Sequence, residues 1–278
     1  GASVHGYGAR VDGADETFDA VGDHLRGLFV AGRPIVGVCA AGILIRALAP
    51  LVSEKASEPP VVAVAEDGST AVPLLGGHGG ANRLARAIAG ATGGTAAVTT
   101  AGDVRHGIAL DDPPPGWMVA NRDAAKGAMA AVLAGEPVAL RHDVGDGGWL
   151  AEAGIPFRDT ADLTIRVTDQ TVADTGADLI LHPPVLAVGV GCERDTDAAE
   201  LTSLVTATLA EAGLAAGAVA CVASLDVKAD EAAVHAVAAA LGVEARFFDA
   251  PRLETETPRL ANPSDVVFRE VGCHGVAE

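Results

Sequence analysis

His78 stands inside four glycines, in the run Gly76-Gly77-His78-Gly79-Gly80-Ala81-Asn82. An imidazole has an ordinary pKa of about 6.5, so His78 can take a proton from water near neutral pH as a general base. Gly76, Gly77, Gly79 and Gly80 let the backbone turn left-handed and approach a ligand closely. The amides that open the following helix, with Asn82 among them, are unpaired and carry partial positive charge, which suits a carboxylate. A sharp strand-to-helix turn with an exposed histidine would use the same residue types. A phosphate cradle is a third reading, but the loop has neither a Gly-Lys-Ser/Thr ending nor GxGxxG spacing. All three readings stay open at this point.

Other chemistry-bearing residues lie along the chain. Arg46 interrupts the apolar run "AGILIRAL", where it must reach solvent or a partner, and a ligand carboxylate and an internal salt bridge serve equally. Thr99, Thr100 and Asp103 fall where a parallel strand would end, the edge at which ligands of open α/β sheets gather. Asp103 could orient His78, accept a proton, or cap the next turn. In "SLDVKADE", alternation would put Asp226 and Lys228 on one side if the strand continued, while Glu231 could start a helix. "FREVGCHG" brings Glu270, Cys273 and His274 close in sequence, but adjacent residues rarely converge as a nucleophile and base.

These residues need elements to hold them. "RPIVGVCA" (33–40) reads as a buried strand, and 41–52 as a helix ending near Pro50. Residues 60–75 read as a hairpin turning at Glu66-Asp67-Gly68, 81–94 as a short helix, and 95–103 as a strand. "DDPPPGW" (111–117) is a rigid extended connection. Beyond it, 124–136 is helical, and "DLTIRVTD" and "ADLILHPP" are strands. From 184 on, strands and helices alternate again, with Thr196 or Asp197 as N-cap of a helix that ends near Gly213. The pattern predicts an α/β chain with a mostly parallel N-terminal sheet. Its parts are an N-terminal layered domain (1–112), a small central α/β module (113–183) and a C-terminal α/β domain (184–278).

The composition bounds the partners. The formal charge is −18, with 37 acidic residues against 19 Lys and Arg, which argues against nucleic acid. No run approaches ~20 apolar residues, so a membrane span is not expected. No signal peptide opens the chain, which points to the cytoplasm. The four cysteines are scattered without a CxxC pair and read as reduced thiols rather than a zinc site. An opening at Gly1 and a close at "GCHGVAE" suggest a piece of a longer chain.

The runs "AAGILIRALAP", "VVAVAEDGSTAVPLLGGHGGANRLARAIA" and "AAVTTAGD" resemble the N-terminal domain of the CbiG family of cobalamin biosynthesis. "VLAVGVGCERDT", "ASLDVKADE" and "FREVGCHGVAE" resemble its C-terminal domain, which also occurs alone as CobE. The resemblance implies an enzyme that hydrolyses the lactone of cobalt-precorrin-5A, releasing acetaldehyde and leaving cobalt-precorrin-5B. The substrate would then be a tetrapyrrole bearing acetates and propionates, with other corrin-pathway enzymes as partners. Cobalt would arrive inside that substrate, so no cofactor or dedicated metal site is expected. Thr100-Ala101-Gly102-Asp103 departs from the Thr-Ala-Thr-Asp of many relatives. "GIALDDPPPGW" resembles a variant fused to a precorrin-3B methyltransferase, for which a non-hydrolytic precorrin-binding role is the alternative.

Overall fold

The computed structural model describes residues 2–8, 10–53, 58–174, 176 and 178–277, and leaves the side chain of His78 outside the described residues. The chain divides into two compact units, Gly1–Asp112 and Pro113–Glu278.

The first unit opens with a parallel pair, β1 (His5–Tyr7) and β2 (Glu16–Phe18), followed by helix α1 (Val21–Val30). Next come β3 (Ile35–Val38), α2 (Ala41–Leu48), β4 (Val61–Val64), β5 (Thr70–Leu75), α3 (Ala81–Thr92), β6 (Thr95–Ala96) and α4 (Ala101–His106). The four strands from β3 to β6 form one sheet in chain order, parallel at β3/β4 and β5/β6 and antiparallel at the β4/β5 hairpin. β4 is buried along its whole length, because its alternate side chains feed two cores. Val61 and Ala63 pack with Leu25, Phe29, Leu44 and Leu48 of α1 and α2. Val62 and Val64 pack with Ala81 and Ala85 of α3, whose small side chains let that helix lie close on the opposite face. Each buried Val of this kind is worth roughly 1.5–3 kcal/mol relative to exposure.

Two expectations for this unit change. The run 95–103 is a strand only at β6; Thr100 turns the chain and α4 begins at Ala101, with Asp103 in its first turn, where a carboxylate suits the helix dipole. The helix over 41–52 stops at Leu48, and Pro50 lies in a short 3-10 turn that ends it.

The second unit contains two sheets. The first is built from β7 (Met118–Val119), α5 (Arg122–Ala134), β8 (Val138–His142), the short helix α6 (Gly148–Ala151), β9 (Leu163–Val167) and β10 (Asp178–His182). Its strand order is β7-β10-β9-β8, parallel except for β7 at the edge. The other comprises β11 (Leu186–Gly189), α7 (Ala198–Glu211), β12 (Val219–Leu225), α8 (Ala232–Leu241) and β13 (Glu244–Phe248), then α9 (Ala250–Glu254) and α10 (Asp265–Val271). β11, β12 and β13 are all parallel. Leu201, Val205 and Leu209 recur one helical turn apart along α7 and pack with Val234 and Val237 of α8 over Val222. Asp197 is the N-cap of α7, accepting from the amides of Ala199 and Glu200.

β12 ends at Leu225, and 226–228 forms a 3-10 turn in which Ala229 N–H donates to the Asp226 carbonyl. The expected alternation of Asp226 with Lys228 therefore does not apply.

Candidate functional site

The glycine loop joins β5 to α3 through a turn that only glycine makes easily. Gly76 has φ +67°, and a Cβ on it would sit 2.7 Å from the carbonyl oxygen of Pro59. Its own carbonyl accepts from the amides of Gly79 and Ala81, at 2.9 and 3.0 Å, so those two donors are already used. Gly80 is again left-handed, at φ +102°, and delivers the chain into α3. The backbone of His78 lies in this turn; its proposed part as a base falls outside the described residues.

Beneath the loop, α3 and α4 meet through a polar network. Asn82 is 5% exposed, and its Nδ2 donates to Thr100 Oγ1 at 2.8 Å and to Asp103 Oδ2 at 2.9 Å. Thr100 Oγ1 donates to the same carboxylate oxygen. Asp103 Oδ1 accepts from Arg86 Nη2 at 2.6 Å. Asn82 and Arg86 sit one turn apart on α3, which puts them on one face. The Asp103 side chain is 3% exposed and that of Arg86 is 44% exposed, so a buried anion anchors a guanidinium whose remaining donors reach the surface. Nearby, Arg83 Nη1 contacts Asp112 Oδ1 at 2.7 Å. Burial pushes the Asp112 carboxyl above its usual range, while the bond from Arg83 pulls against that.

The sequence thus picks out Asn82, Thr100 and Asp103, which do come together, but it misses Arg86. The only signal for it was the spacing "NRLAR". Thr99 is exposed beside this network. Arg46 is exposed on α2 and donates to the Gly42 carbonyl of its own helix at 3.0 Å.

Asp226, Lys228 and Glu270 belong to the second unit. Lys228 Nζ lies 3.6 Å from Glu231 Oε2, beyond hydrogen-bond range, and both side chains are largely buried at the carboxyl end of β12. Glu231 occupies the N-cap position of α8, but its side chain caps nothing there; it accepts from the amide of Asp195 at 3.4 Å. Arg194 is engaged by Asp230 at 2.6 Å and by the Val227 carbonyl. This turn is rich in acids, and its cations are matched locally. Asp226 and Glu270 are exposed.

The last segment holds a carboxylate–imidazole pair. His274 Nδ1 lies 2.9 Å from Glu254 Oε1, and its ring stacks on Phe268 at 4.5 Å. The hydrogen bond with His274 holds the Glu254 carboxyl below its usual range. Cys273 is fully buried, and burial pushes its thiol up, so it is not poised as a nucleophile.

Residues 23–103 match the family model for the cobalamin synthesis G N-terminal domain, and residues 186–278 match that for the cobalamin synthesis G C-terminus. The chain belongs to the CbiG family. It is 27% identical over 277 residues to a cobalt-precorrin-5A hydrolase of Priestia megaterium, covering 91% of this chain and 73% of that one. It is 53% identical over 93 residues to Protein CobE of a Sinorhizobium species, covering 34% of this chain and 60% of the relative. A Salmonella typhimurium cobalt-precorrin-5A hydrolase is 45% identical over 87 residues, which covers 31% of this chain and 25% of that enzyme. Among solved structures, a CobE matches 33% of this chain and 64% of its own, at 36% identity and a TM-score of 0.31. A cobalamin biosynthesis protein G homolog from Sulfolobus solfataricus matches 84% of this chain and 70% of its own, at 21% identity and a TM-score of 0.34. The CbiG N-terminal match ends on Asp103 and includes the glycine loop and the Asn82–Thr100–Asp103–Arg86 network. Among the described residues, no helix is long and apolar enough to cross a membrane.

Proposed function

We propose that this chain acts in the cytoplasm in cobalamin biosynthesis, hydrolysing the lactone of cobalt-precorrin-5A. The observation that carries this reading is the presence of both CbiG domains, in order, at the two ends of the chain. The hydrolase names of two relatives support it, and the methyltransferase-fused alternative finds no support among them.

In the reaction, a water oxygen bonds to the lactone carbonyl carbon and the ring C–O bond breaks. A carboxylate remains on the macrocycle and an alkoxide on the two-carbon fragment. The alkoxide becomes the aldehyde C=O as the carbon–carbon bond that joins the fragment to the macrocycle breaks, its electron pair staying on the conjugated ring, and acetaldehyde departs. A base must take a proton from the water, and His78 in the glycine loop is the proposed one. A carboxylate arm of the tetrapyrrole would dock on Arg86. Asp103 fixes one edge of that guanidinium and leaves the rest free, so little rotamer freedom is lost on binding. Asp103 then acts as a positioning residue. Lys228 is a weaker dock, because its side chain is largely buried beside Glu231 and offers little surface to a ligand.

The test is release of acetaldehyde, followed by coupled reduction with NADH, from cobalt-precorrin-5A incubated with the folded chain. Stoichiometric acetaldehyde that falls away in His78→Ala is the expected result. A folded chain that binds the substrate and releases none would sink the reading.

A further inference from the structure

Three arginines of the second unit leave one face of its four-stranded sheet as near neighbours. β8 and β9 run parallel with Arg141 directly opposite Arg166. Residues paired in this way point to the same face, on strands about 4.8 Å apart. On the outer side of β8, Arg158 bridges to Ala139 in parallel. Ala139 lies two residues before Arg141, so Arg158 leaves that same face. The strip between Arg158 and Arg166 is floored by Ala139, too small to fill it, and by Thr164, which stands opposite Ala139.

Like charges directly opposite one another destabilise a strand pair. The chain has acids to spare, 37 against 19 Lys and Arg, and elsewhere it uses them: Arg83, Arg86, Arg194 and Arg252 each meet a carboxylate at 2.6–2.8 Å. On this strip the matching is poor. Among the described residues, the one carboxylate in ion-pair range of the three is Asp143, whose Oδ2 lies 3.4 Å from Arg166 Nε. That contact completes no hydrogen bond, and the buried Nε is left without a partner. Asp178 shares the face but stands opposite Thr164, two residues back from the level of Arg166. Arg141 and Arg158 are exposed, and the Arg166 side chain is 34% exposed, so all three are open to solvent. Each guanidinium presents a fixed fork of N–H donors that fits a carboxylate. The three span two strand spacings, roughly 10 Å, which is more than one carboxylate can bridge.

We propose that this strip is a binding site for a small molecule carrying two or more carboxylates on a short aliphatic frame. Arg141 and Arg166 share one carboxylate, and Arg158 takes a second. The bound anion offsets the like-charge pair that the sheet otherwise carries. The site does not rest on the hydrolase reading, whose dock is Arg86 in the other unit, so each can fail without the other.

The experiment uses the full chain in calorimetric titrations with tricarballylate, acetate and inorganic phosphate. Salt is held at about 0.15 M to screen the chain's overall negative field. Tricarballylate should bind roughly ten-fold or more tighter than acetate, because its further carboxylates add charge-assisted hydrogen bonds. Arg141→Gln and Arg166→Gln should each weaken tricarballylate roughly ten-fold, and Arg158→Gln should bring it towards acetate. Arg141→Lys keeps the charge and disturbs the strand less; it should also weaken binding, because an ammonium has no fork. Arg269→Gln, exposed on α10, removes the same charge outside the strip and should leave binding unchanged. Far-UV circular dichroism checks that each variant is folded. Absence of tricarballylate binding, an equal loss in Arg269→Gln, or phosphate binding as tightly as tricarballylate would overturn the proposal.

Discussion

Arg86 and Asp103 divide one task between a surface cation and a buried anion, and their substitutions should separate accordingly. Arg86→Met removes a charge-assisted dock, so KM for the substrate should rise roughly 10-fold or more while kcat changes little. Arg86→Lys should recover only part of that, because an ammonium cannot present a fork. Equal loss in kcat would instead place Arg86 at the reacting atoms. Asp103→Ala strips Asn82 and Thr100 of their buried acceptor, and urea unfolding should show a loss of about 1–3 kcal/mol. Glu254 offers a pH test in the other unit. Its carboxyl is held low by His274, so the stabilisation is present above the unfolded-state pKa and is lost as pH falls through the lower folded value. The melting-temperature gap between the native chain and Glu254→Gln should therefore be fully present above about pH 5 and shrink as the pH falls below the ordinary glutamate value of about 4.3.

At the scale of elements, the loop before α3 depends on one backbone geometry. Gly76→Ala forces a side chain into φ +67° and against the Pro59 carbonyl, which should cost about 1–3 kcal/mol in urea unfolding. Gly79 is exposed, and a Cβ there would meet nothing closer than Glu58 O at 3.6 Å, so Gly79→Ala should stay within about 0.5 kcal/mol. If the two variants behaved alike, the conformational account of the loop would fail. Such local chemistry is what sequence conveys well: the β4/β5 hairpin at Asp67-Gly68, the glycine break into α3 and the Asp197 cap all follow from neighbouring residues. Elements set by partners are harder to see. β8 carries only Val138 and Ala139 buried at its start and ends in Arg141-His142, so its own pattern is weak; pairing with β9 makes it a strand. The run after Thr95 alternates well enough for a strand, yet β6 pairs for only two residues before α4 starts. Arg86 escaped notice for the same reason, since its partner Asp103 is 17 residues away and only the packing of α3 on α4 brings the two together.

At the scale of the whole molecule, the formal charge of −18 sets the sign of the long-range field. A tetrapyrrole bearing several acetates and propionates is itself a polyanion, so the proposed encounter is between like charges. At 0.01 M salt the Debye length is about 30 Å, and repulsion acts well before contact; at 0.15 M it is about 8 Å, and most of it is screened. Association measured by stopped-flow quenching should therefore speed up several-fold over that range, the reverse of an electrostatically steered pair. The short contact on Arg86 is partly shielded from salt by its anchor on buried Asp103. Arg86→Met should accordingly raise the dissociation rate and leave the salt slope of association nearly unchanged. A rate that falls steadily with added salt would mean that a local basic surface outweighs the net charge, and the docking geometry proposed around α3 would have to be redrawn.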